Sequence, residues 1–213
     1  MQKMKLVVIT PSKRHDNEII DIIHMLEAGL DTLHVRKNRY STKELEEYIK
    51  EIPEHFHNRI IIHSHHKLAL RYNIKGIHFT TTHLENKFKL WWNTKMIYLR
   101  NHHLVKSISH RRMSEIYEPE KIKTDYCFLG TLFHNVSGEL YSGFYKETTI
   151  AANKKSGRKI IARGGINTRS VETAYELGFY GIALYGYLWK SSTPFDKYIE
   201  FINYCKEKNI PLD

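Results

Sequence analysis

Lys159-Ile160-Ile161-Ala162-Arg163-Gly164-Gly165-Ile166 is an apolar run of strand length that ends on a cation and two glycines. A run that is apolar on both sides of its pleat suits a strand covered on both faces, as in a parallel sheet. The same kind of run recurs, each time followed by a segment with helical spacing. Leu6-Val7-Val8-Ile9 precedes Ile19 through Leu26, Thr32-Leu33-His34-Val35 precedes Leu45 through Ile49, and Ile60-Ile61-Ile62 precedes Leu68 through Tyr72. Gly76-Ile77-His78-Phe79, a weaker strand from Leu104 to Ser109, Tyr126-Cys127-Phe128-Leu129 and Gly181-Ile182-Ala183-Leu184 complete the series. Eight such units in 213 residues predict an α/β protein, a small (β/α)8 TIM barrel occupying residues 1–213 as one domain. A doubly wound sheet would use fewer strands and a glycine-rich turn after the first, where this chain has Thr10-Pro11-Ser12.

Helix signals keep the same phase. Ser41-Thr42 with Glu44, and Asn167-Thr168 before Val171, read as capped starts, while Gly29 and Gly178 stand where helices should stop. From Leu84 to His103 the pattern weakens, and the Trp91-Trp92 pair is expected to pack on the barrel as part of an extra helix.

Hydrophobic residues make up 41% of the chain and charged residues 26%, which excludes disordered and fibrous classes. The two cysteines, Cys127 and Cys205, give neither a disulfide framework nor a structural zinc spacing. With no apolar leader or spanning run, a cytoplasmic protein without membrane contact is expected. The net charge of +10 attracts anions, but its cations are dispersed. The densest stretch, His110-Arg111-Arg112, is too short to read as an arm or tail, and charge alone does not choose among phosphate-bearing metabolites, nucleic acid and acidic lipid, so the expectation of a small phosphate and no nucleic acid comes from the strand-end residues below.

In a barrel the chemistry lies at the carboxyl ends of the strands. His34, His63, His78, His110 and His134 are expected there, with Arg36, Lys37 and Arg163. Any one of these histidines is explained as a satisfied polar residue; five on one rim suit an anion and proton transfer near neutral pH. Glycines after strands seven and eight let backbone amides approach a phosphate, which places Gly164, Gly165, Tyr185 and Gly186 as its binding residues.

The ordered set of motifs resembles the thiamine phosphate synthases and their relatives, the TenI-type thiazole tautomerases. His34-Val35-Arg36-Lys37-Asn38 looks like the second-strand motif, and Ile61-Ile62-His63-Ser64 with Lys67-Leu68-Ala69 looks like the third. Gly76-Ile77-His78 resembles the fourth, Asp125 to Phe133 the sixth, and Ala162 to Ile166 with Gly181 to Leu184 the phosphate-binding end. The resemblance implies a thiazole phosphate held near Gly164, Gly165, Tyr185 and Gly186.

Departures from the family pattern bear on the reaction. The synthases couple hydroxymethylpyrimidine diphosphate to thiazole phosphate with Mg²⁺ held by two aspartates, and Ser64 and His83 stand at the matching positions. His34, Asn38 and His63 replace the family's diphosphate-holding glutamine, lysine and asparagine, while Asn135, Ser137 and Gly138 alter the sixth-strand loop. Imidazole suits Mg²⁺ poorly, so no cofactor is expected unless synthase activity is retained. The resemblance then favours tautomerisation of a thiazole phosphate. His110 would be the acid/base, Arg36 and Lys37 would support an anionic group, and His34 or His63 would be the reserve. Lys37, Asn38, Ser64, His83, His134, Asn135 and Ser137 would contact substrate. His110 is equally read as a residue opening a basic turn. A divergent synthase, a zinc-dependent barrel hydrolase built on His63-Ser64-His65, and a non-catalytic binder of thiamine precursors remain alternatives, and a homodimer is compatible with all of them.

Overall fold

In the computed structural model, which describes residues 3–80, 103–120, 122–135, 137–142 and 144–213 with His83, Lys95, Ile97 and Leu99, eight parallel strands close on themselves. They are β1 (Lys5–Ile9), β2 (Thr32–Val35), β3 (Ile60–Ile62), β4 (Gly76–Phe79), β5 (Val105–His110), β6 (Tyr126–Leu129), β7 (Ile160–Arg163) and β8 (Gly181–Leu184). Each pairs with its sequence neighbour, and β8 returns to β1 with Lys5 opposite Gly181 and Val8 opposite Leu184. The expected (β/α)8 barrel is therefore the observed fold, with the weak fifth strand in place and one residue longer at its carboxyl end.

Strand parity divides the interior. Val7, Ile9, Ile61, Tyr126, Phe128, Ile161 and Ala183 fill the barrel. Their chain neighbours, such as Val8, Ile60, Ile62, Cys127 and Ile182, face the helical layer. The same alternation aims His34, between outward Leu33 and Val35, and His78, between outward Ile77 and Phe79, into the barrel.

The helices that lie wholly within the described residues are α1 (Glu18–Glu27), α2 (Thr42–Lys50), α3 (Lys146–Lys155), α4 (Val171–Glu176), α5 (Gly186–Trp189) and α6 (Pro194–Glu207). Ser41 opens α2 through a capping box: its hydroxyl accepts from the Glu44 amide while the Glu44 carboxylate accepts from the Ser41 amide. Such a cap contributes about 1 kcal/mol.

Two expected helix starts differ. His66–Leu70 is a single 3-10 turn rather than a helix over Leu68 to Tyr72. Asn167 does not cap α4 directly; its side-chain oxygen accepts from the Arg169 amide in a turn that delays the helix to Val171. The Trp91-Trp92 pair lies outside the described residues. No helix among the described residues is long and apolar enough to cross a membrane.

Candidate functional site

At the carboxyl ends of the strands the barrel opens into a cavity of about 530 Å³. Among the described residues, four of its liners are cations, Arg36, Arg111, Arg112 and Arg163, against the single carboxylate of Glu115. Ile9, Asn38, His63, His78, Thr80, Ser109 and Phe128 also line it. A hollow of about 600 Å³ at the opposite end, among Leu6, Gly29, Tyr198 and Asp213, has among the described residues only Lys206 and Asp213 as charged liners and lacks convergent chemistry.

Two of the arginines are held in place. The Arg36 guanidinium lies 4.6 Å from the Tyr185 ring centroid, and its backbone amide donates to Thr10 Oγ1 at 2.9 Å. Its buried Nε has no hydrogen-bond partner. Arg163 donates through Nη1 to Ser109 Oγ at 3.0 Å and through Nη2 to the Gly130 carbonyl at 3.1 Å. Burial, then the charges of Arg36 and Arg111, push its pKa down from the ordinary arginine value. Like charges held together in a concave site attract an anion that neutralises several at once.

Beneath this ring of cations lies a layer of imidazoles. His34, His63 and His78 are all buried. His34 Nδ1 and His63 Nε2 share a hydrogen bond of 2.9 Å, and His34 Nε2 meets the Tyr126 hydroxyl at 2.5 Å. His78 Nδ1 lies 2.9 Å from Ser107 Oγ and its Nε2 3.1 Å from Ser109 Oγ, while its ring stacks on His63 at 4.1 Å. Burial drives the His34 pKa down to about 3 and holds His63 and His78 well below the usual histidine range. All three are neutral at pH 7.

Beside the cavity, Gly164 and Gly165 turn with φ of +85° and +73°. One side of the turn is closed by the loop after β6: a Cβ on Gly164 would meet Thr131, and one on Gly165 would lie 1.9 Å from the Phe133 carbonyl oxygen. The other side is open, since both residues keep partial solvent exposure. Among the described residues the amides of Gly164, Gly165 and Gly186 donate to no backbone carbonyl. The Trp189 indole, donating to the Ile9 carbonyl at 2.7 Å, fixes the turn after β8 against β1.

Several expected roles change. His110 follows Ile108 in parity and turns to the outer layer. There its Nδ1 lies 3.4 Å from Glu115, and its Nε2 accepts from Arg158 at 3.3 Å. Burial, then the Arg158 charge, lowers its pKa. The mouth position on β5 belongs to Ser109 instead, so His110 does not face the cavity as an acid/base. Lys37 is equally displaced: with its side chain fully buried it pairs with Glu18 at 2.7 Å and donates to the Pro11 carbonyl at 2.8 Å. It braces α1 rather than contacting substrate. His34 lies a layer below the opening, so it does not touch the cavity wall, whereas His63 does.

The His63-Ser64-His65 pairing does not form a metal-binding couple. His65 adopts a left-handed conformation with φ of 51°, and its ring bonds Thr42 and the Tyr40 carbonyl on the surface. His134, Asn135 and Ser137 are exposed on the β6 loop, outside the cavity wall, with the His134 ring packed on Tyr141. Ser64 Oγ is buried without a partner, and His83 Nδ1 accepts from the Thr80 amide at 3.2 Å. With a hydroxyl and an imidazole where paired carboxylates would be needed, this corner does not fit Mg²⁺.

Arg111, Arg112, Ser109, Thr80 and Glu115 were not among the expected site residues. The dense His110-Arg111-Arg112 stretch was visible in sequence. Its position directly after a strand was the signal that it belongs to the mouth.

Comparison with known proteins agrees with the architecture. A profile of the family described as thiamine monophosphate synthase matches residues 6–188. The chain is similar to a solved thiamine phosphate pyrophosphorylase from Bacteroides thetaiotaomicron, with 25% identity, 96% of each chain covered and a TM-score of 0.73. A thiamine phosphate pyrophosphorylase from Pyrococcus furiosus matches in fold, at 20% identity, 97% of each chain and a TM-score of 0.72. A 3-hexulose-6-phosphate synthase shares the fold at 11% identity, with 94% of this chain and 99% of that one covered and a TM-score of 0.60. No curated protein matches.

Proposed function

This chain belongs to the thiamine monophosphate synthase family, and from that premise we propose that it condenses a pyrimidine diphosphate with a thiazole phosphate. The observation that carries the reading is the set of four guanidiniums around one cavity with, among the described residues, a single carboxylate beside them. In this condensation the bond from the pyrimidine methylene carbon to the diphosphate oxygen breaks. The thiazole nitrogen supplies the electron pair of the new carbon–nitrogen bond, and pyrophosphate leaves with the pair of the broken one. Negative charge grows on the leaving group, so fixed cations lower the barrier. One well-placed donor is worth about 3 kcal/mol in a closed site. Arg36, Arg111, Arg112 and Arg163 would take the diphosphate, and the amides of Gly164, Gly165 and Gly186 the thiazole phosphate.

Proton relocation, the expectation favoured by sequence, needs a group that titrates near neutrality. The imidazoles at the cavity floor are held neutral by burial, and His110 faces outward. One observation still supports a tautomerase as the second reading: Glu115 lines the cavity with His110 behind it, a carboxylate–imidazole pair able to relay a proton.

The test supplies both substrates to purified protein and measures pyrophosphate and thiamine phosphate together. Stoichiometric formation of both, reduced about 100-fold or more in Arg163→Ala, is the expected result. Isomerisation of a thiazole carboxylate phosphate, lost in Glu115→Gln and without pyrophosphate release, would replace the condensation with the tautomerase.

A further inference from the structure

We propose that His34, His63 and His78 form a binding site for one divalent transition-metal ion of the imidazole-preferring class, such as Zn²⁺ or Co²⁺. Strands β2 and β4, and the residue that directly follows β3 between them, each aim one ring into the barrel, and one donor nitrogen from each lies within 4.8 Å of the others. Barrel interiors are ordinarily filled by branched aliphatic side chains, and three uncharged imidazoles there bury polar groups at a cost that Val or Ile would avoid.

The surrounding hydrogen bonds already orient the rings as metal ligands. Tyr126 engages His34 Nε2 while Nδ1 meets His63, and Ser107 engages His78 Nδ1 while Nε2 bonds the Ser109 hydroxyl, a contact the ion would displace. Partners of this kind on the far nitrogen fix tautomer and ring direction in metal sites. The two nitrogens joined by the 2.9 Å bond between His34 and His63 need part by only a few tenths of an ångström. Tetrahedral ligands at zinc distance stand about 3.3 Å apart. Because both rings are already neutral, the proton shared between them would shift to the far nitrogen of its own ring as the ion enters, with no net proton loss.

His63 and His78 also line the cavity, so the fourth coordination position faces the mouth and would be open to a phosphate or diphosphate oxygen. The donor set is all nitrogen, which selects against Mg²⁺. The site differs from the corner at Ser64 and His83, which lacks the donors to replace a lost magnesium. It does not rest on the condensation reading, because its test measures metal rather than turnover.

Chelator-stripped protein is titrated with Co²⁺ and, separately, with Mg²⁺, following visible ligand-field absorption and calorimetric stoichiometry. X-ray absorption of the loaded wild-type protein then counts imidazole ligands. One equivalent of Co²⁺ in a tetrahedral spectrum, three imidazoles in the first shell and no comparable Mg²⁺ binding are expected. His34→Gln and His78→Gln should weaken binding by more than about 100-fold, Tyr126→Phe by about 10-fold, and exposed His55→Gln not at all. Fewer than two imidazoles around the ion, binding retained in His34→Gln, or equal affinity for Mg²⁺ would overturn the proposal. The absorption measurement on wild-type protein decides the matter even if a core variant fails to fold.

Discussion

Lys37 and Glu18 pair with both side chains fully buried, and Tyr48 donates a hydrogen bond to the same carboxylate. Truncating one partner of a buried ion pair strands the other charge, at a cost of about 3–5 kcal/mol. Lys37→Met should therefore lower unfolding stability in urea by several kcal/mol. KM for the substrates of the proposed condensation should stay near wild type in the folded fraction; a large KM change with intact stability would return Lys37 to the mouth. The buried histidines make a second prediction at this scale. A histidine held neutral in the fold binds its proton more readily when unfolded, where its pKa is about 6.5. Stability is then fully present above pH 6.5 and falls as pH drops toward the folded value, about 3 for His34. Each such group contributes a slope of up to about 1.4 kcal/mol per pH unit. Urea unfolding at pH 7.5 and 5.5 should show a loss that begins well above the carboxylate range and becomes shallower in His34→Gln. Unchanged stability between those two conditions would refute the buried imidazole layer.

The elements translate single-residue offsets into function. On β5, Ser107 and Ser109 touch the inward His78, so the next residue, His110, faces outward. A chain read without its register cannot separate neighbours that point to opposite faces of a strand. The turn after β7 is a harder constraint. Gly165 has φ of +73° and the Phe133 carbonyl against the place a Cβ would fill, whereas a Cβ on Gly186 would find nothing nearer than Lys190 at 3.7 Å. Gly165→Ala should destabilise the fold by more than about 1 kcal/mol through backbone strain and the displaced β6 loop. Gly186→Ala should stay within about 0.5 kcal/mol of wild type in stability. Thermal unfolding of the two variants side by side checks the contrast, and equal melting points would mean that the loop yields easily.

At the scale of the molecule, a net charge of +10 and four arginines at one opening create a field that draws anions to the mouth. Pyrophosphate binding without added magnesium should weaken by roughly tenfold or more between 50 and 500 mM salt, since screening shortens the Debye length well below the width of the site. Calorimetry at several ionic strengths measures it, and a salt-independent affinity would deny the cationic cradle its role. Sequence alone determined the barrel, because near-continuous apolar strands alternating with helices at this length leave few other ways to bury both faces of a sheet. It also determined the glycine turn after β7, because that conformation requires residues without a side chain. Only the tertiary structure decided which charged and imidazole groups meet. Whether Arg112 reaches a cavity, Lys37 a buried carboxylate or His34 a second histidine depends on strand register and on the closure of β8 against β1. Those are distances between residues far apart in the chain, and local sequence pattern does not encode them.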